Sequence, residues 1–391
     1  MSNFKNAPEI PIPKQSNVFI SEGNNKLATL FKNGFDALGG IENYVKPGQT
    51  VLIKINCVGG NNPTTGGNTD PLMCEALIKM LKEKCQPGRI VVGDETDTIR
   101  SDFDAFGQWG WRAMCERQGV ELDDMSKDPD YVDVEIDNAL YCNTVSVPRI
   151  VVDADVYISM AILKNHDTVA ITGTIKNNFG LVPELTRRKA HRDIAVEQYL
   201  VDILRVRKPD ICIVDGRIGM EGIAGGAFFE HPRFANRFIM GDDPVATDTV
   251  CAHIMEQNPR VCYLQWANDY GLGTNNLDYI NIFGMKLEDA KVHFMSPADE
   301  ISEFTEGKVH LYDLDSCSQC RAVCQGTFHR FRSENSIQDD VDVVYGPGKW
   351  DIPEKRSDKL LLIGDCIRPE YRDLGVCEIR NVDLRIRILI L

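Results

Sequence analysis

Four short apolar runs, each giving way to charged or amide residues, constrain this chain more than anything else in it. They are Val51-Leu52-Ile53-Lys54-Ile55-Asn56, Arg89-Ile90-Val91-Val92-Gly93-Asp94-Glu95, Val156 to Ile162 with Lys164-Asn165-His166 behind it, and Ile211-Cys212-Ile213-Val214-Asp215. Apolar on both faces, such runs suit a parallel sheet covered by helices. Ile150-Val151-Val152 is read as part of the third run, and Val145 to Val152 as a continuation of the sheet. Between the runs, apolar residues recur at helical spacing: Leu27, Leu30, Phe31, Phe35 and Leu38, then Leu72, Ala76, Leu77, Met80 and Leu81, with further helices expected over 102–118 and 194–204. The alternation predicts an α/β fold: a mostly parallel, doubly wound sheet with helices on both faces.

At 391 residues the chain exceeds one typical core. It divides by composition into an extended, proline-bearing arm over 1–16, an α/β core domain over 17–300 and a small C-terminal cysteine-rich region over 301–391. Its 43 basic and 58 acidic residues give a net charge of −15, which argues against general affinity for nucleic acid or an anionic membrane. The start carries no apolar segment behind a positive one, and no run approaches the length of a membrane span, so the expected location is cytoplasmic. An odd count of 13 cysteines forbids complete internal disulfide pairing and fits reduced thiols with a metal site among them.

Residues 161–180 concentrate the polar chemistry. Lys164, Asn165, His166, Thr172, Lys176, Asn177 and Asn178 alternate with Val169, Ala170, Ile171 and Ile175, so charges and amides enter a segment that is otherwise buried. Such groups are costly to bury unpartnered, and open α/β sheets bind ligands at the carboxyl ends of their strands. The pattern predicts a site where Lys164, His166 and Lys176 converge on an anion, with Lys54 and Asn56 at the end of their own strand. A glycine-, asparagine- and threonine-rich loop follows over 59–71, with Asp70 as cap and Pro71 at the first position of a helix. A second glycine loop, Met220-Glu221-Gly222-Ile223-Ala224-Gly225-Gly226, follows Asp215 and is expected to face the same crevice. Arg187 to Asp193 forms a basic cluster suited either to an anion or to a solvated face. Asp243 and Pro244 open another helix, in which Asp248 is placed to pair with a site lysine.

Ile53-Lys54-Ile55-Asn56, Lys164-Asn165-His166 with Thr172-Gly173 and Lys176-Asn177, Val214-Asp215-Gly216 with Met220-Glu221-Gly222, Gly241-Asp242-Asp243-Pro244-Val245-Ala246 with Asp248, and Gly271-Leu272-Gly273 together resemble the family called domain of unknown function 362. The resemblance covers about residues 51–273. Members of that family are often described as iron-sulfur proteins, and no common reaction is assigned to them.

Past residue 315 the composition changes. Cys317, Cys320 and Cys324 stand in a C-x2-C-x3-C spacing, followed by Cys366 and Cys377. Two residues between cysteines let both sulfurs meet one metal or cluster. The resemblance implies a four-iron four-sulfur cluster on Cys317, Cys320, Cys366 and Cys377, with Cys324 as competitor for a place; structural zinc, or no metal, are the alternatives. The terminal run Leu384 to Leu391 reads as a strand needing a partner, in its own region or in a second subunit, which leaves a homodimer open.

Three functions are compatible with these features. The first is a redox enzyme acting on a small carboxylate or phosphate, with His166, Lys164, Lys176 and Asp215 as catalytic groups and Lys54, Asn56, Thr172, Asn177, Glu221 and Asp248 binding the ligand. The second is an electron-transfer or cluster-carrying protein, without a substrate of its own, that works with an electron-transfer partner. The third is a redox-independent racemase or isomerase using lysine and histidine acid-base groups.

Overall fold

A computed structural model describes residues 15–58, 61–96, 104–127, 130–223, 231–330, 340–348, 357, 359–364, 366 and 377–379. In chain order its strands begin with β1 (Ser16–Glu22), β2 (Thr50–Lys54), β3 (Arg89–Asp94) and β4 (Glu121–Asp124), then a hairpin of β5 (Tyr131–Glu135) and β6 (Thr144–Pro148). The centre follows with β7 (Val156–His166), β8 (Ala170–Thr172), β9 (Ile211–Met220), β10 (Pro232–Arg233), β11 (Arg237–Gly241) and β12 (Ile280–Gly284). Four more, β13 (Val309–Asp313), β14 (Val341–Tyr345), β15 (Leu360–Ile363) and β16 (Cys377–Ile379), form a separate parallel sheet near the C-terminus. The helices used below are α1 (Leu27–Ala37), α2 (Pro71–Lys84), α3 (Thr174–Asn177), α4 (Glu184–Arg192), α5 (Val196–Val206), α6 (Pro244–Ile254) and α7 (Ser318–Arg330).

The large sheet runs in the order β12-β1-β11-β9-β7-β2-β3-β4, with β8 and β10 added at the sides. Along this path only the contacts of β11 are antiparallel, so the sheet is mostly parallel as expected. From β2 the chain moves outward to β3 and β4, then returns on the opposite side of β2 as β7. The carboxyl ends of β2 and β7 therefore flank a topological switch point, where loops leave the sheet in opposite directions and a crevice opens.

Both faces of the sheet are covered. Val51 and Ile53 of β2 join Val92, Ile158, Met160, Ile213 and Met240 in one core with α1 and α2. Leu52, Tyr157, Ala161, Leu163, Val214 and Ile239 form the other with α5 and α6. This is the strand period of two, carried through a sheet buried on both sides. All eleven residues of β7 are buried, which makes it the central strand.

Some boundaries differ from those the sequence suggested. Ser16, the last residue of the expected arm, already opens β1. Ile150-Val151-Val152 lies in a single helical turn, Arg149–Asp153, preceded by Pro148 at φ −55°, and the strand starts only at Val156. A fixed proline φ suits a helix start better than a strand interior. Val145 belongs to the hairpin strand β6, outside the large sheet. The helix expected over 102–118 is two helices separated by Gly110 at φ 81°. The terminal run 384–391 lies outside the described residues.

Candidate functional site

At the switch point lies a crevice of about 580 Å3, walled by Lys54 and Asn56 from the end of β2, Asp94 and Glu95 from β3, Lys164 and His166 from β7, Lys176, Asn177 and Phe179 from α3 and its exit, and Glu184, Arg187, Arg188 and His191 from α4. Asp167, Thr168 and Thr172 complete its edge.

Its charges are mostly answered. Lys54, 1% exposed, sits 2.5 Å from Asp94, while its ammonium also donates to the Ile55 carbonyl at 2.8 Å. Burial pulls the Lys54 pKa down and pushes that of Asp94 up, and each charge partly restores the other. Gly180 presses on this pair: a Cβ there would meet the Asp94 carboxylate and lie 2.9 Å from Lys54 Nζ. Arg187 lies 2.8 Å from Glu95, whose carboxyl burial raises to about 7 against the pull of that guanidinium. Arg188 bonds Glu184 at 2.7 Å.

Among the described residues two ammonium groups have no carboxylate in contact, although Asp94 acts on Lys164 and Asp167 on Lys176 from further away. Lys164, 4% exposed, donates only to the neutral oxygens of the Asn56 side chain and the Gly67 carbonyl, each at 3.2 Å. Lys176 has no hydrogen-bond acceptor or carboxylate at contact distance among the described residues, and lies 4.5 Å above the Phe179 ring. Burial lowers Lys164 to about 8. Burial, then the positive charges of Lys164 and Arg187, lowers Lys176 to about 7. Both therefore titrate near neutrality, where an acid-base group is most useful.

The imidazoles are held neutral. His166 Nδ1 lies 3.0 Å from both the Thr168 N-H and Asp167 Oδ1, so the amide favours a bare Nδ1 and the carboxylate a protonated one. Burial lowers the pKa of His166, although Asp167 beside it pulls the other way. His191, stacked edge-on against Phe179, is driven down to about 3 by burial and by the charge of Lys176.

Local folding explains the placement. After His166 the chain doubles back as β8, pairing Lys164 with Thr172. The next turn is seized by Asp248 of α6, whose carboxylate accepts from Thr174 N at 2.7 Å, Thr174 Oγ1 at 2.7 Å and Ile175 N at 2.9 Å. That anchor presents Lys176 to the crevice, while Asn177 donates to the Lys54 carbonyl and to Ser159 Oγ. The structure thus brings together Lys54, Asn56, Lys164, His166, Thr172, Lys176 and Asn177. Asp248 stands behind them as a buried anchor and does not line the crevice.

Asp215 and Glu221 lie elsewhere. Asp215 is taken by Arg217, at 2.8 Å, which also holds Asp70 at 2.8 Å. Glu221 accepts from Met295 N at 2.9 Å. Of the second glycine loop, residues 224–230 lie outside the described residues, and Glu221, Gly222 and Ile223 do not wall the crevice. Asp94, Glu95 and His191 were missed as site residues. Their signals were a strand ending in two carboxylates and a basic cluster whose ambiguity only tertiary contact resolves.

In the C-terminal region Cys317 immediately precedes α7 and Cys320 is in its first turn. The Cys320 sulfur reaches both Cys317 and Cys366. The Cys320 thiol and the N-H groups of Gln319 and Cys320 lower the Cys317 pKa. Gly364, at φ 112°, passes so close that a Cβ would lie 2.8 Å from the Cys320 sulfur. Cys324 is fully buried one turn further along α7. Cys377 starts β16 opposite Leu361, and its side chain lies outside the described residues. Among the described residues, no three His, Cys, Asp or Glu groups form a ready-made metal site. Other cysteines of the core, such as Cys74 and Cys251, are buried among apolar neighbours.

Residues 51–253 match the family described as domain of unknown function, DUF362. That span is more than half of the chain. The chain belongs to the DUF362 family. Within curated proteins, it is 28% identical over 249 residues to a thylakoid-associated protein of Synechocystis sp., covering 61% of this chain and 72% of that one. Among solved structures, the lactate racemase apoprotein from Thermoanaerobacterium thermosaccharolyticum overlays with a TM-score of 0.40 at 9% identity, over 87% of this chain and 71% of that one. An overlay that loose carries no argument about chemistry. No helix among the described residues of this DUF362 protein is long and apolar enough to cross a membrane.

Proposed function

We propose that this DUF362 protein binds a small carboxylate- or phosphate-bearing molecule in the β2-β7 crevice and moves protons on it, as a redox enzyme served by the cysteine region. The observation that carries the binding half is the pair Lys164 and Lys176, two ammonium groups in one crevice with no carboxylate in contact with either among the described residues. A buried cation without a counter-charge is costly unless a ligand supplies one. Asn56, Thr172 and Asn177 offer neutral hydrogen bonds around the anion. His166, when protonated beside Asp167, is an acid, and either lysine, once deprotonated, is a base.

The redox half is supported by proximity. Arg321 of α7 donates to the Thr168 carbonyl at 3.4 Å, and Thr168 is the residue whose N-H orients His166. The cysteine-bearing helix therefore packs directly on the crevice wall. Cys317, Cys320 and Cys366, with sulfurs gathered around Cys320, offer three thiols that would have to spread apart to ligate a cluster, and Cys377 is the fourth thiol in this reading. A four-iron four-sulfur cluster held there would supply single electrons.

The second reading is the redox-independent isomerase. What favours it is that Lys164 and Lys176 titrate near neutrality without any help from the cysteines. A pure electron carrier has no use for such a crevice.

Two measurements separate these readings. In a thermal-shift screen of small carboxylates and phosphates, the wild-type chain should be stabilised and Lys164→Ala should lose the effect; no stabilisation by any anion would sink the binding half. Iron and acid-labile sulfide on protein purified without oxygen should approach about four irons per chain. Anion binding without iron would leave the isomerase.

A further inference from the structure

The three lysines of the crevice are not equivalent, and the difference assigns one of them a covalent role. Lys54 is tied to Asp94, and Lys164 is hydrogen-bonded to two neutral oxygens, so each has a fixed partner. Lys176 has none among the described residues and rests on the face of Phe179. Its backbone is anchored, because Asp248 accepts from the two N-H groups just before it on α3.

We propose that Lys176 is a nucleophile whose amine condenses with the carbonyl carbon of a 2-oxo acid, while the carboxylate of that acid lies against Lys164. The proposal rests on the anion-binding reading above and narrows its substrate class. A free amine is required, and burial together with the charges of Lys164 and Arg187 supplies it, since Lys176 is lowered to about 7. A lysine desolvated beside another cation is a recognised way of activating this nucleophile. A carboxylate on Lys164 places the adjacent carbonyl within the same enclosed site as Lys176, which favours a 2-oxo acid over a carbonyl remote from its charge.

The step balances without an oxidant. The Lys176 nitrogen forms a bond to the carbonyl carbon as the carbonyl π electrons move to oxygen, which takes up a proton, giving a carbinolamine. The proton that the oxygen takes up is the one the nitrogen sheds, passed across through solvent, so carbinolamine formation needs no outside acid or base. A proton from solvent, relayed by His166 through its imidazolium form, then protonates the hydroxyl, which leaves as water, and the product is a protonated imine. The charge so formed on nitrogen is equal to that of the original ammonium.

The test is hydride trapping. The full-length protein is incubated with glyoxylate, pyruvate or 2-oxoglutarate, reduced with sodium borohydride and mapped by peptide mass spectrometry. The expected result is one secondary-amine adduct per chain, at Lys176, saturating with the oxo acid and lost in Lys176→Arg. Because the map is made on the wild-type chain, it stands even if that variant folds poorly. Adducts spread over exposed lysines with none at Lys176 would overturn the proposal. Glycolate and inorganic phosphate, which have no carbonyl, separate the two levels. If they raise the melting temperature but no oxo acid is trapped, the imine is wrong and anion binding stands. If they do nothing and nothing is trapped, both fall.

Discussion

Two clusters of charge occupy neighbouring strands of the large sheet, and they differ in one respect. On β9, Asp215 and the helix cap Asp70 enclose Arg217 with bonds of 2.8 Å, so the lone cation is answered twice. On β2 and β7, Lys54 and Arg187 are answered by Asp94 and Glu95, but Lys164 and Lys176 are left over. The first cluster is finished by the chain itself and does structural work. In the second, two ammonium groups have no carboxylate in contact among the described residues. Density of charge does not identify a site; an unmatched remainder does.

The comparison is broken most severely by removing a finished partner. Asp94→Ala leaves Lys54 buried without its counter-charge and is expected to cost about 3–5 kcal/mol. Adding Lys54→Met should recover most of that loss in denaturant titrations; a cost below about 1 kcal/mol for Asp94→Ala would mean the pair is not a buried one. Arg217→Ala should cost less, about 1–3 kcal/mol, because the guanidinium and one of its two carboxylates, Asp70, are each a quarter exposed. Its melting-temperature shift with anions should equal that of the wild type, and any loss of that response would erase the distinction between the clusters. Lys176→Met should go the other way, changing stability by no more than about 1 kcal/mol and in the stabilising direction, while abolishing trapping by oxo acids.

The mildest probe is pH. Lys176 at about 7 and Lys164 at about 8 hold their protons less tightly in the folded chain than at the ordinary lysine value of 10.5. Between pH 7 and 10 the unfolded chain therefore binds more protons, and these two groups make the ligand-free protein more stable as pH rises. Anion affinity should move oppositely, falling from pH 6 to 9 as the ammoniums are lost. A flat anion affinity over that range would show that neither lysine meets the ligand.

How legible was this in the amino-acid order? The sheet was, because apolar runs with a period of two, separated by helical spacing, leave few alternatives. Lys164, His166 and Lys176 were legible as well, because polar residues inside a buried run demand an explanation. Asp215 illustrates the limit. It ends an apolar strand as Asp94 does, yet Asp94 walls the crevice and Asp215 does not, their cations being Lys54 forty residues away and Arg217 two residues away. Asp248 was correctly singled out as unusual, but its partner proved to be the backbone of α3, and no side-chain pattern announces that. Ile150 to Val152 was misread because apolar composition alone does not distinguish a strand from one turn of helix after a proline.

Gly180 gives the crevice an unusual genetic property. A single methyl group at that position would touch both members of the Lys54-Asp94 pair, so the smallest possible change of shape would be felt as a change of charge. Gly180→Ala, a substitution most surfaces would absorb, should therefore mimic the loss of an ion pair, and a lineage that carries alanine there must have rebuilt the floor of its site.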